Sequence, residues 1–215
     1  MVTGFILAGG KSSRMGREKA LLPVGQQPLI EIVIRRLRPS VQRLIVVANA
    51  HNVCRLERLP VEALLIDLKP DSGPLMGIYT GLMNTQTPLN LFVPCDMPWV
   101  EGRLIDRLVS AYREGVEFIA SLHPLEGVQP FPLVCHVKGC RSIGALLNQG
   151  ERSLQMLFQQ SCTQLVRVEE PDWWPSFTNV NTVADYAKLT DDPSTLPPHG
   201  DLAQDHGERA KRVEP

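Results

Sequence analysis

Thirteen residues near the N-terminus, Leu7-Ala8-Gly9-Gly10-Lys11-Ser12-Ser13-Arg14-Met15-Gly16-Arg17-Glu18-Lys19, combine adjacent glycines, two serines and several cations. They follow the apolar run Gly4–Leu7, so the glycines fall at the carboxyl end of a candidate strand. Glycines there let the backbone approach a ligand and present N–H groups to it. Ser12 and Ser13 add donors, Lys19 adds charge, and Arg14 can grip two phosphate oxygens at once. The chemistry this composition suits is polyphosphate binding at the strand ends of an open α/β sheet. Neither common phosphate loop fits. A Walker A loop would need glycine where Phe5 stands, and Gly9, Gly10 and Gly16 do not make G-x-G-x-x-G.

A second chemical position is Asp96, at the end of the apolar run Asn90–Pro94 and before Met97-Pro98. A carboxylate at the tip of a buried strand faces the ligand crevice, and Mg²⁺ in phosphate enzymes is held by one or two carboxylates plus substrate oxygens and water. Asp96 stands several residues too early to cap the helix expected at Gly102–Glu114. Gly73-Pro74-Leu75 opens another candidate helix, whose first turn offers free N–H groups and the positive dipole end. Asp67 and Asn49 close two more apolar runs and belong on the same rim, although Asn49 reads almost as well as a turn residue. In Asn179-Val180-Asn181-Thr182, Asn181 or Thr182 suits an N-cap with Asp185 near the third helical position, and two asparagines two apart also suit ligand contact. Acyl-transfer chemistry has no support. Gly-x-Ser-x-Gly is absent, Cys95 is a small group at a strand end, and His51, His123 and His136 are scattered.

Taken together, Leu-Ala-Gly-Gly-Lys-Ser-Ser-Arg-Met-Gly-x-x-Lys, Gly73-Pro74-Leu75-Met76-Gly77, Pro94-Cys95-Asp96-Met97-Pro98 and Asn179-Val180-Asn181-Thr182 resemble, in order and spacing, the molybdenum cofactor guanylyltransferase family of glycosyltransferase-A-like nucleotidyltransferases. The likeness spans roughly residues 3–189. One departure is Glu18, where the family more often has Asp. The resemblance implies transfer of GMP from Mg-GTP to a molybdopterin-type cofactor with release of pyrophosphate. It implies Mg²⁺ on Asp96 and catalytic roles for Arg14, Lys19 and Asp96. It implies nucleotide contacts at Leu7, Ala8, Gly9, Gly10, Ser12, Ser13, Lys19, Gly73, Pro74, Leu75 and Asp96, with guanine near Asn49 and Asp67. Acceptor contacts are implied at Gln129, Pro130, Asn179 and Asn181. Partners would be GTP, the cofactor, and molybdoenzymes or their chaperones. Three readings stay open beside it: CMP transfer to the same cofactor, nucleotidyl transfer to a sugar phosphate, and a non-catalytic nucleotide-binding partner in cofactor delivery.

The elements that must position these residues are legible as alternation. Candidate strands are Gly4–Leu7, Arg43–Ala48, Ala63–Asp67, Asn90–Pro94, Phe118–Leu122, Leu133–Val137 and Leu165–Val168. Candidate helices are Leu29–Arg38, Leu75–Asn84, Gly102–Glu114, Ser142–Leu147, Leu154–Gln160 and Val183–Leu189. Continuously apolar runs such as Leu44–Val47 indicate strands buried on both faces. The expectation is a three-layer α/β/α sandwich with a mostly parallel, Rossmann-like sheet in one domain over residues 1–189. The final stretch, 190–215, is acidic and Pro-rich and reads as a disordered tail. At 215 residues the chain can bury a full core. Its net charge of −1 conceals +7 over residues 1–60, without the interleaved aromatics a nucleic-acid stacking platform uses. No apolar run reaches membrane-span length and no basic leader is present. Five cysteines without C-x-x-C suit a reduced, cytoplasmic protein.

Overall fold

A computed structural model describes residues 1–9, 18–69, 72–191 and 211–213. Its main sheet has eight strands. In chain order these are β1 (Val2–Leu7), β4 (Arg43–Ala48), β5 (Ala63–Ile66), β6 (Leu89–Pro94), β7 (Phe118–His123), β8 (Gly127–His136), β9 (Thr163–Arg167) and β10 (Lys211–Val213). Between β1 and β4 a small hairpin, β2 (Pro23–Val24) and β3 (Gln27–Pro28), stands apart from it. The order across the main sheet is β10-β5-β4-β1-β6-β8-β7-β9. The block from β10 to β6 is parallel throughout, and β8 runs antiparallel to both its neighbours. The sheet is mostly parallel, as the apolar runs require. The exception at β8 follows from the tight turn after His123, since only antiparallel neighbours can be joined so briefly.

Helices cover both faces. On one side lie α1 (Leu29–Leu37), α2 (Val53–Leu56) and α4 (Gly102–Ser110), which bury Ile30, Val33, Leu56, Leu104 and Leu108 against Ile6, Val46, Leu64 and Val93. On the other lie α3 (Pro74–Met83), α5 (Cys140–Asn148) and α6 (Leu154–Gln160), which bury Leu75, Ile78, Ile143 and Leu157 against Phe5, Val47, Leu65 and Phe92. Strands with apolar groups on both faces therefore bury all of them, which is why β1 and β4 carry continuous apolar runs.

Near its end the chain joins the rest of the protein at two places. Helix α7 (Val183–Asp191) returns to the hairpin. Val180 and Leu189 pack with Leu22, Val24, Leu29 and Ile32, and the Tyr186 hydroxyl donates to the Pro23 carbonyl. Residues 211–213 then add the edge strand β10 to β5. Within the stretch read from sequence as a tail, these three residues belong to the sheet; residues 192–210 lie outside the described set. A three-residue strand among acidic and Pro-rich neighbours carries no periodic signal, so only pairing with β5 reveals it.

Candidate active site

The parallel order changes direction between β1 and β6, and the carboxyl ends of β1, β4, β5 and β6 open into a cavity of about 390 Å³. This is the crevice where open α/β sheets take ligands. Leu7, Ala8 and Gly9 form its floor, with Glu18, Lys19 and Ala20 on one side. Asp67, Gly73, Pro74 and Gly77 line a second side, and Pro94, Cys95 and Asp96 a third. Eight residues of the glycine loop and its cations are expected here, Leu7, Ala8, Gly9, Gly10, Ser12, Ser13, Arg14 and Lys19; of these, Gly10, Ser12, Ser13 and Arg14 lie outside the described residues.

At the β6 end, Lys19 Nζ donates to Asp96 Oδ2 at 2.7 Å and to Asn181 Oδ1 at 2.8 Å. The other carboxylate oxygen, Asp96 Oδ1, is buried without a hydrogen-bond partner among the described residues. A buried carboxylate oxygen so left is costly unless something cationic or a donor completes it. Asp96 is also tied by its backbone, whose carbonyl accepts from Val180 N at 2.9 Å. Its position is set by β6, as Cys95 N donates to the Leu7 carbonyl beside it. Burial, then the neighbouring Asp96 charge, push the Cys95 thiol far up, so Cys95 is no nucleophile. Glu18 faces the cavity and holds Arg55 Nη1 at 3.3 Å.

At the β5 end, Asp67 lines the cavity while only 8% exposed. Its Oδ1 accepts from Thr80 Oγ1 at 3.1 Å and lies 3.5 Å from Lys69 N. Burial raises its carboxyl above the usual carboxylate range, and the bonds from Thr80, Lys69 and Leu68 pull it partly back. Helix α3 begins between the two ends. Gly73 takes φ +82° at its N-cap, a conformation that glycine alone adopts without strain, and Pro74 follows at the first turn. Leu75 is fully buried in the core and is not among the described residues that line the cavity.

The remaining expected residues separate. Asn49 makes a turn: its Oδ1 accepts from His51 N and Asn52 N, both at 3.0 Å, and its Nδ2 lies 3.5 Å from the Gly9 carbonyl. Asn181 is joined to Lys19, whereas the cap of α7 is made by Thr182 and Asp185, each accepting from the other's N–H. The capping reading thus holds for Thr182 and Asp185, and Asn181 is placed beside Lys19 at the crevice. Asn179 is exposed. Gln129 contacts Glu126, and Pro130 lines a separate cavity of about 570 Å³ with Leu154, Phe158 and Leu165; neither borders the main crevice. Asn52 had no signal in the sequence. Buried, it donates to the Ala8 carbonyl at 2.8 Å and accepts from Asn49 N at 3.0 Å, locking the ends of β1 and β4 together.

A glycine-lined crevice at the switch point of a parallel sheet, with a lysine–carboxylate pair at one end and a buried carboxylate at the other, defines a nucleotidyltransferase. Residues 4–166 match the family model described as MobA-like NTP transferase domain, and the chain belongs to that family. It is 33% identical over 185 residues to the molybdenum cofactor guanylyltransferase of Vibrio parahaemolyticus, covering 86% of this chain and 92% of that one. It is 31% identical to the enzyme of the same name from Haemophilus influenzae, covering 87% and 96%. In fold it is similar to molybdopterin-guanine dinucleotide biosynthesis protein A of Archaeoglobus fulgidus, with a TM-score of 0.77 at 21% identity over 90% of this chain and all of that one. The 4-diphosphocytidyl-2C-methyl-D-erythritol synthase of Anaerococcus prevotii shares the fold at a TM-score of 0.70 and 14% identity, covering 90% and 96%.

Proposed function

We propose that the protein transfers GMP from GTP to the terminal phosphate of a molybdopterin-type cofactor and releases pyrophosphate. The observation that carries this reading is the Lys19–Asp96 pair with its orphaned, buried carboxylate oxygen at the switch point. In the reaction an acceptor phosphate oxygen attacks the α-phosphorus, forming a new P–O bond. The bond from the α-phosphorus to the bridging oxygen breaks, and its electron pair leaves with pyrophosphate. A phosphate monoester loses its second proton near pH 6 and is already nucleophilic at neutral pH. No general base is needed, which fits a cavity lined by no histidine among the described residues. The barrier is repulsion between anions, so the catalyst must align them and neutralise charge.

The residues present suit a Mg²⁺ ion. Among the described residues no cluster of three His, Cys, Asp or Glu exists, which disfavours an all-protein cage. One carboxylate with a free buried oxygen is what an ion shared with substrate phosphates requires, and Asp96 Oδ1 would hold it. When bound, Mg²⁺ supplies charge neutralisation at the phosphate oxygens. Lys19, beside Asp96, binds the α-phosphate. Asn181 keeps the ammonium at the crevice when Asp96 engages the metal. Arg14 and the amides of the glycine loop hold the β- and γ-phosphates. Asp67 accepts N–H groups of guanine, which offers a donor edge, and Gln129, Pro130 and Asn179 serve the acceptor side. The protein works in the cytoplasm and hands its product to molybdoenzymes or their chaperones. Among the described residues no helix is long and apolar enough to cross a membrane.

The test is turnover with Mg²⁺, purified cofactor and either GTP or CTP, read as pyrophosphate release and dinucleotide formed. Guanine dinucleotide from GTP is the expected product. Preference for CTP, or turnover with a sugar phosphate in place of the cofactor, would replace the reading.

A further inference from the structure

Asp67 shares out its two oxygens in a way that bears on base choice. Oδ1 faces inward and takes the Thr80 hydroxyl at 3.1 Å. Oδ2 faces the cavity. It lies 3.7 Å from where a Cβ on Gly9 would stand and 4.0 Å from the same point on Gly77, and both glycines line the crevice. The groups acting on this carboxylate are a hydroxyl and two backbone amides, all neutral donors. A buried carboxylate with no cation beside it among the described residues is poorly matched to a phosphate and well matched to neutral N–H donors.

Thr80 sits on the second turn of α3 and is 1% exposed. Its hydroxyl accepts from Leu68 N at 3.2 Å, which leaves its single proton to donate. The Met76 carbonyl, 3.0 Å away one turn back, is the competing acceptor; an ionised carboxylate is the stronger of the two. Thr80 thereby joins three pieces: helix α3, the backbone just after β5, and the carboxylate itself. Without that bond, rotation about the Asp67 side chain would interchange its oxygens and lose the aim of Oδ2.

We propose that Thr80 is a specificity-determining positioning residue that holds Asp67 Oδ1 so that Oδ2 meets the N1–H and N2–H edge of guanine. The proposal rests on the reading that this cavity end takes the nucleotide base. Adenine presents a lone pair at N1 and no amine at C2, so a carboxylate aimed at that edge repels it. A site built to accept an N–H rejects analogues that lack one. Thr80 touches no substrate; it acts through Asp67.

The experiment compares kcat/KM for GTP and for ATP in the wild type, Thr80→Val, Thr80→Ala, Thr80→Ser and Asp67→Asn. Thr80→Val keeps the side-chain shape and removes the donor. It should lower the GTP-to-ATP ratio about tenfold, the scale of one hydrogen bond to a charged group, mainly through KM for GTP. Thr80→Ser keeps the donor and should restore most of the ratio. Thr80→Ala gives the same answer as Thr80→Val should the latter fail to fold. A ratio unchanged in Thr80→Val or Thr80→Ala, while Asp67→Asn collapses it, would overturn the role of Thr80 alone. A ratio unchanged in Asp67→Asn would instead remove the base from this end of the crevice and the proposal with it. Equal losses for both nucleotides in the Thr80 variants would mark a structural residue and likewise overturn it.

Discussion

The two ends of the crevice carry the same functional group in opposite surroundings. Asp96, at the β6 end, is paired with a lysine that arrives from 77 residues away, and one of its oxygens is buried with no partner. Asp67, at the β5 end, is buried against neutral donors, and burial raises its carboxyl. One carboxylate is kept among charges and left with capacity for another. The other meets only neutral donors among the described residues and has one oxygen already occupied. Three inter-strand steps separate their strands, roughly 14 Å at about 4.8 Å per step, a span suited to a nucleoside whose α-phosphate lies at one end and whose base lies at the other. Environment, not residue type, distinguishes the two carboxylates.

Asp96→Ala should break the comparison most sharply. Loss of a carboxylate proposed to hold Mg²⁺ should cost several kcal/mol of transition-state stabilisation, so kcat should fall by at least about 10³-fold. GTP should still raise the melting temperature of this variant through contacts at the other end. Near-wild-type kcat at saturating Mg²⁺ would remove Asp96 from the chemistry.

Lys19→Ala should follow, with kcat down by about 10²–10³, the range found when one donor to a developing oxyanion is removed. Asn181→Ala tests the second anchor of the same ammonium and should cost about tenfold in kcat with KM for GTP little changed. If Asn181→Ala instead raises KM for the cofactor alone, Asn181 belongs to the acceptor and not to Lys19.

Asp67→Asn sharpens the other side. KM for GTP should rise about tenfold, on the scale of a lost charge-assisted hydrogen bond, with kcat within about threefold. Its stability should move the opposite way. A carboxyl whose folded pKa is raised stabilises the fold when protonated, and that contribution is lost as pH rises through the folded value. Asp67→Asn removes the penalty, so this variant should melt above the wild type at neutral pH. The difference should shrink as pH is lowered through the raised pKa. Thermal scans at several pH values check the sign, and a lower melting temperature at neutral pH would contradict the burial argument.

The smallest effect is expected for truncation after Asp191. It removes β10 and retains the described residues that line the cavity and the α7 contacts with the hairpin. Turnover should stay within about twofold, with a modest fall in melting temperature from the exposed β5 edge. A large loss of kcat would place the C-terminal stretch over the crevice.

Much of this was legible in residue order because each signal is local. Continuous apolar runs mark strands sealed on both faces, and β1, β4, β5 and β6 lie where those runs predict. Gly73-Pro74 marks a helix start through one positive φ and one fixed one. Asp67 and Asp96 are readable because each ends such a run. What pairs with what is not local. Lys19 meets Asn181 across 162 residues, Asn52 reaches the Ala8 carbonyl across 44, and Thr80 reaches Asp67 from a helix face otherwise explained by packing. The antiparallel course of β8 and the seat of β10 on β5 likewise leave no mark in composition. The sequence alone determined which strand ends carry carboxylates and glycines, since alternation and turn chemistry act over a few residues. Only the tertiary structure decided which carboxylate keeps a cation and which keeps a hydroxyl, because desolvation and hydrogen-bond partners are set by chain segments that meet only when folded.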